Sequence, residues 1–304
     1  MRKILLLVAC ITGMAVAHTT AAQEPKVFEL TLVDMKGNKK VLGTLPGSVF
    51  APRVSPDGEQ VAFELADPAG PGAGQQAARL HVASLDKPDQ RRALPLTPGR
   101  LTDWAPIWSL DGQRLVYLSQ GNGPDALFSR RADGSGEAEY LLDARAAEGM
   151  YEDGKKLAFI TLTGDRDYGI SMLDMNTKAV TRLVDYPNSE QHSSRIAPDG
   201  RWIAYVSNET GRQEVWLEAL PRTGGRYRLT DNGGRHPQWS PDGEKLFFDQ
   251  DGQMFRFDVF AEGEAPMVSK PVALPIKGFQ QGDLRRQYDL MPDGRSFIML
   301  FPVQ

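Results

Sequence analysis

One motif recurs six times along the chain: Ser55-Pro-Asp-Gly58, Ser109-Leu-Asp-Gly112, Tyr151-Glu-Asp-Gly154, Ala197-Pro-Asp-Gly200, Ser240-Pro-Asp-Gly243 and Met291-Pro-Asp-Gly294. The motif Asp residues lie 54, 42, 46, 43 and 51 residues apart. The flanks repeat as well. Four residues after each Asp stands an apolar residue: Val61, Leu115, Leu157, Ile203, Leu246 or Phe297. Two further on come Phe63, Tyr117, Phe159, Tyr205, Phe248 and Met299. Three before each Asp come Val54, Trp108, Met150, Ile196, Trp239 and Leu290. Self-similarity at this period marks a repeat architecture in which each unit buries its apolar face only against its neighbours.

The turn chemistry identifies the unit. Pro presets φ, Asp accepts local backbone hydrogen bonds and Gly takes positive φ, so Pro-Asp-Gly reads as a hairpin turn. The segments after it are apolar and rich in β-branched and aromatic residues, as in Trp202-Ile-Ala-Tyr-Val206. Third strands are predicted at 78–83, 168–173, 214–218 and 254–259, and fourth strands at 92–96, 180–184 and 226–230. No stretch holds a helical period. Gly and Pro, 30 and 21 residues, suit many short strands joined by turns. Four short strands per unit make a propeller blade. The sixth motif carries only two strands, at 287–290 and 296–301, while two unassigned strands, 27–33 and 40–42, lie near the N-terminus. The predicted fold is therefore all-β, a six-bladed propeller of four-stranded blades. Its sixth blade is closed by N-terminal strands pairing with the C-terminal strands. Closure of this kind removes exposed sheet edges.

Ile196-Ala-Pro-Asp-Gly-Arg-Trp-Ile-Ala-Tyr-Val-Ser-Asn-Glu-Thr-Gly-Arg-Gln-Glu-Val-Trp216, resuming at Tyr227-Arg-Leu-Thr-Asp-Asn-Gly-Gly-Arg-His-Pro-Gln-Trp-Ser-Pro-Asp-Gly243, resembles the WD40-like (PD40) repeats of the TolB propeller superfamily. The resemblance covers about residues 26–304 and is specific for fold. It implies a binding platform, a sensor domain or an enzyme appendage, and it suggests a cell-envelope partner. A separate N-terminal domain like that of TolB-like proteins is not expected here, so a role in the Tol system is not expected to transfer. Motifs 2 and 3 depart from the pattern, with Leu110 and Glu152 where Pro is usual.

Residues 1–22 have the three parts of a secretory signal: Arg2 and Lys3, an apolar stretch from Ile4 to Val16, then small residues. Cleavage is expected after Ala17 or Ala22. The apolar stretch is shorter than the ~20 residues of a membrane span. Leu7-Val8-Ala9-Cys10 offers lipidation at Cys10 as an alternative, with only a short apolar region before it. The expected organisation is a signal peptide at 1–22 and one propeller domain at 23–304, periplasmic or secreted. Removing the leader takes the formal charge from −4 to −6, because two basic residues leave with it, and removes the lone Cys. An acidic chain lacks the footprint of a nucleic-acid binder.

The sequence holds no Gly-x-Ser-x-Gly elbow, no phosphate-binding glycine loop and no His-Glu-x-x-His. Asp249-Gln-Asp-Gly252 opens like a calcium loop, but Met254 stands where that loop needs Gly and Phe260 where it needs Glu, so a hairpin turn is expected. The long turn at 67–76 and the insertion at 261–266 read as surface loops.

One constellation emerges when the repeats are aligned. Residues seven and six before each motif Asp should gather at one mouth of the channel. They bring together Trp104, His192, Arg235, His236 and Arg286, with Arg53 and Arg195 further along the strands. A basic, aromatic mouth on an acidic protein suits an acidic peptide or carboxylate. The functional expectation is an exported, non-catalytic platform for an envelope protein or peptide, monomeric and without a cofactor. The alternative is a metal-dependent lyase or hydrolase acting on an acidic sugar or lactone. There His192 and His236 would begin a metal site completed by Gln238 or Gln287.

Overall fold

The computed structural model describes residues 27–67, 77–151, 154–162, 167–260, 266–282 and 284–303. The expected leader at 1–22 with Cys10, most of the 67–76 loop and most of the 261–266 insertion lie outside the described residues, as do Glu152 and Asp153 of the third motif.

The described residues contain no helix and form six antiparallel sheets. Blade 1 comprises Val49–Val54, Gln60–Asp67, Ala77–Ser84 and Arg92–Ala93. Blade 2 comprises Arg100–Trp108, Arg114–Gly121, Ala126–Arg131 and Glu139–Asp143. Blade 3 comprises Ala146–Tyr151, Lys156–Leu162, Tyr168–Asp174 and Val180–Val184. Blade 4 comprises Gln191–Ile196, Trp202–Ser207, Glu214–Ala219 and Arg226–Arg228. Blade 5 comprises Arg235–Trp239, Lys245–Gln250 and Gln253–Phe260, with two outer segments, Met267–Val268 and Val272–Lys277, both paired to the third strand. Blade 6 runs from Tyr288–Leu290 through Ser296–Pro302 to Val27–Asp34 and finally Lys39–Pro46. The predicted closure is thus present: Val27–Asp34 pairs antiparallel with Ser296–Pro302, setting Leu30 opposite Leu300.

The five fully described motifs form the predicted turn, and the third closes with the same bond between Gly154 and Tyr151. In each, the Gly amide donates to the carbonyl three residues back, from Gly58 to Ser55 at 2.9 Å through Gly294 to Met291 at 2.8 Å. Each Gly has φ between 68° and 80°. Where the motif begins with Ser, its hydroxyl donates to the motif Asp and accepts the amide that starts the next strand. Ser55 Oγ does so with Asp57 at 2.5 Å and Gln60 N at 2.8 Å. That bond is the main cause holding the carboxyl pKa of Asp57 below the usual range.

The turns also fit against one another around the ring. A Cβ on Gly112, Gly243, Gly294 or Gly58 would meet Pro56, Pro198, Pro241 or Pro292 of the preceding blade. At Gly200, whose preceding motif carries Glu152 in place of Pro, nothing among the described residues lies within 4 Å.

The core lies between blades. The apolar and aromatic residues at the repeated offsets, Leu115, Phe63, Tyr117, Tyr205 and Phe248 among them, are buried. Fully burying such a side chain contributes roughly 1.5–3 kcal/mol. Polar stitches join the blades as well. Trp108 Nε1 donates to Arg53 O at 2.8 Å, and Trp239 Nε1 makes the equivalent bond to Arg195 O at 3.1 Å.

This packing predicts unequal effects for two identical substitutions. Gly294→Ala and Gly200→Ala both force an L-residue to positive φ, at about 1–2 kcal/mol each. Only Gly294→Ala also drives a methyl to 2.7 Å from Pro241 Cδ, adding about 1–3 kcal/mol of overpacking. Urea denaturation should give the lower midpoint for Gly294→Ala; equal midpoints would refute the tight turn-to-turn contact.

Candidate functional site

The innermost strand of most blades carries a β-bulge. The pairing register slips between Phe50 and Arg53, Trp104 and Ile107, His192 and Arg195, and Arg235 and Gln238. At each slip one residue turns left-handed: Ala51, Ala105, Ser193 and His236, with φ of 50° to 55°. All four sit six residues before the motif Asp. Non-glycine residues rarely adopt this conformation, so the surroundings must hold it. Side chains of neighbouring blades do so by accepting the freed amides. Gln287 Oε1 takes Ala51 N at 3.0 Å, Glu64 Oε1 takes Ala105 N at 2.7 Å, and Glu148 Oε2 takes Ser194 N. A bulge adds one residue to a strand and reverses the alternation of faces beyond it.

The slip falls at the same offset in these four blades and keeps the aligned positions equivalent: His236 and Arg286 line one narrow space with Ala51, Ala105 and Ser193, whereas Trp104, His192 and Arg235 do not border it. Trp104 is half-buried beneath the Arg285 guanidinium, 3.7 Å from its ring centre. It borders a side cavity of about 470 Å³ shared with Phe50, Tyr168 and Arg145. His192 is buried, with Nδ1 2.9 Å from Ser193 Oγ and no partner at Nε2 among the described residues. Burial, then the charges of His236 and Arg235, push its pKa down to about 3, so the ring is neutral. His236 is buried too, with Nδ1 2.8 Å from Asp249 Oδ1, which also accepts the Tyr288 hydroxyl at 3.1 Å. Arg235 is half-buried and pairs with Asp249 in the strand ladder.

The side chains that would complete a metal site around the two histidines are committed elsewhere. Gln287 Oε1 holds Ala51 N, and Gln238 Oε1 accepts from Arg195 Nε at 3.3 Å and from Arg286 Nη1. Among the described residues, no group of three or more His, Cys, Asp or Glu is placed to hold a metal ion.

Arg286 turns inward and meets Arg53 and Arg195 at the waist of the channel. Arg286 Nη2 bonds Asp289 Oδ1 at 2.7 Å, and its Nε bonds Tyr288 O at 2.9 Å. Arg53 Nη1 donates to Pro52 O at 2.7 Å and to Arg286 O at 3.0 Å. Arg195 Nη1 donates to the carbonyls of Glu148 and Ser194. Burial, followed by repulsion from Arg195 and Arg53, pushes the Arg286 pKa down to about 9. Burial likewise raises that of Glu148, against the pull of Arg195.

On the turn side of this waist opens a funnel of about 450 Å³, to which all six blades contribute. Trp108, Met150, Ile196, Trp239 and Leu290 form its apolar wall, and Pro56, Leu110, Pro198, Pro241 and Pro292 its rim. On the other side the space narrows to about 40 Å³, with Leu284 and Arg285 among its walls. Glu148, Gln238 and Asp289 were not anticipated as partners of the arginines. Four residues before the motif Asp, the repeat reads Arg53, Ile107, Gly149, Arg195, Gln238 and Asp289. Alignment at that offset picks out this ring.

Residues 11–217 match the TolB beta propeller domain family (PD40). An uncharacterised protein of Agrobacterium fabrum is 25% identical over 176 residues, covering 51% of this chain and 55% of its own. The chain thus spans about half the length of that curated relative. Among solved structures, a TolB-type protein of Agrobacterium tumefaciens superposes with a TM-score of 0.68 at 18% identity, covering 93% of this chain and 100% of that one. TolB of Acinetobacter baumannii gives 0.55 at 17% identity, over 92% of this chain and 64% of that one. The tricorn protease gives 0.58 at 14% identity, over 85% of this chain and 27% of that one. At these identities the likeness is one of fold.

The buried neutral His192 has a consequence for acid stability. Its folded-state pKa of about 3 lies below the ordinary 6.5, so between these values the unfolded chain binds the extra proton. The contribution is present in full above pH 6.5 and falls as the pH drops towards 3, by up to about 1.4 kcal/mol per pH unit. Urea unfolding from pH 7 to pH 4 should show a slope in wild type that His192→Gln lowers by up to one proton. Identical slopes would contradict the assignment.

Proposed function

Since this chain belongs to the TolB β-propeller family, we propose that it is an exported, non-catalytic propeller that binds an envelope protein or peptide through the turn-side funnel. The carrying observation is the funnel itself: a cavity lined by all six blades, with an apolar wall and a floor of guanidinium groups of which those of Arg53 and Arg286 are buried. Binding sites for peptides are concave, largely apolar and furnished with a few convergent polar groups, and this one has that make-up. The leader-like residues 1–22 support export. At the rim, Leu110 is 46% exposed, a large apolar side chain that a partner would cover. Among the described residues no helix is long and apolar enough to cross a membrane.

The test is capture from a bacterial envelope extract by the full chain, expressed with its own leader and tagged at the C-terminus. A specific partner should be retained by wild type and lost with Leu110→Glu, which places a charge on the funnel rim. Val180→Glu, on the outer strand of blade 3, should leave capture unchanged. Capture that survives Leu110→Glu but fails with Arg235→Glu would move the binding face to the opposite side of the ring.

A further inference from the structure

The waist carries more positive charge than its own acids balance. Arg53, Arg195 and Arg286 contribute three guanidinium groups and Glu148 and Asp289 two carboxylates; the buried Glu64, whose charge also reaches Arg53, is matched by its own partner Arg285 at 2.8 Å, so the excess of one positive charge remains. Arg53 and Arg286 are at least nine-tenths buried. Both acids are already engaged by backbone amides, Glu148 by Ser194 N and Asp289 Oδ2 by Val54 N at 2.9 Å. Most acceptors around the three arginines are neutral. Gln238 Oε1 alone serves two guanidinium groups, five backbone carbonyls accept from the three arginines, and Asp289 Oδ1 takes Arg286 Nη2. The Arg53 Nε donor is buried and has no hydrogen-bond partner among the described residues. A buried donor without an acceptor is costly, and a buried cation without its counter-charge more so. This cost is removed if an anion completes the cluster.

The position of the charge limits the kind of anion. The three groups lie at the closed end of an axial funnel, and the space beyond them is too small for a chain to thread. A segment entering the funnel must end at the waist or turn back. The walls above it are indole, thioether and aliphatic groups, from Trp108, Trp239, Met150 and Leu290. A planar carboxylate on an apolar body matches both parts. Guanidinium forks bind carboxylates with two parallel hydrogen bonds.

We propose that the waist is a carboxylate anchor, in which Arg53, Arg195 and Arg286 receive the free C-terminal carboxylate of an apolar peptide seated end-on in the funnel. This rests on the reading that the funnel is where the partner binds, and it names the group that partner must present. Arg53 Nε supplies the uncommitted donor, while Gln238 and Asp289 hold the Arg286 fork in place.

The test uses the full chain and three probes: N-acetyl-Leu-Leu with a free carboxylate, its C-terminal amide, and N-acetyl-Glu-Leu-amide, whose only carboxylate is a side chain. Binding is read by calorimetry and by the fluorescence of the funnel tryptophans. The free acid should bind about tenfold or more tightly than either amide, the difference expected for loss of a charge-assisted hydrogen bond. Arg53→Gln should weaken the acid towards the amide and leave the amide unchanged. Arg53→Lys, which keeps the charge without the fork, should fall between and covers the case in which Arg53→Gln folds poorly. Equal binding of acid and amide would overturn the anchor while leaving a peptide-binding funnel. Preference for the Glu side-chain probe would overturn the chain terminus as its source. Absence of binding by all three would also overturn the anchor, whereas the platform reading stands or falls on envelope capture.

Discussion

The pairing of Val27–Asp34 between Ser296–Pro302 and Lys39–Pro46 is the constraint on which the rest of the structure depends. This strand joins the two ends of the chain in one sheet. Its alternate faces pack in different directions. Phe28 and Leu30 join the cluster around Val61 and Phe63 of blade 1, whereas Val33 joins Phe247 and Met254 of blade 5. Without it, Ser296–Pro302 would present an open edge, and the interface of blade 6 with both neighbours would lose part of its apolar wall.

The waist inherits its charge from this closure. Arg53 comes from blade 1, Arg195 from blade 4, and Arg286 from the segment entering blade 6; they meet only because the ring is complete. Val54 N to Asp289 and Ala51 N to Gln287 are bonds across the seam between the last motif and the first. The same seam that closes the fold therefore positions two of the three guanidinium groups. A rigid frame of this kind can hold like charges together in a way that a flexible loop could not, because relaxation would cost packing in every blade. Function and closure are linked through the blade 6 to blade 1 joint.

Much of the architecture was legible in the sequence because its determinants are local. Pro-Asp-Gly carries its turn in three residues, and the residues at fixed offsets carry the core. The outer strands were less legible. Pro95 has no amide for the ladder, and the fourth strand of blade 1 stops at Ala93 rather than running to Leu96. The doubled outer edge of blade 5 gave no repeat signal at all. The candidate site was legible in composition but not in geometry. The bulges at Ala51, Ala105, Ser193 and His236 use no glycine, so nothing in the residue types announced a left-handed position. Counting back seven and six residues therefore landed on the bulge itself, where one residue of the strand turns left-handed. It gathered His192 and His236, which are buried, with Trp104, which borders a different cavity. The ring at Arg53, Arg195, Gln238 and Asp289 lies on the near side of the bulge, where the alternation still holds.

Closure makes a claim about cooperativity that native-state hydrogen exchange in low urea tests directly. The amides of Leu30 and Leu32 should exchange only with global unfolding, at the same free energy and urea dependence as Leu217 and Phe247 in blades 4 and 5. If Leu30 and Leu32 exchange through a low-energy opening while blades 4 and 5 keep their protection, the N-terminal strand is an appendage, and the account of the ring and its charged waist is wrong.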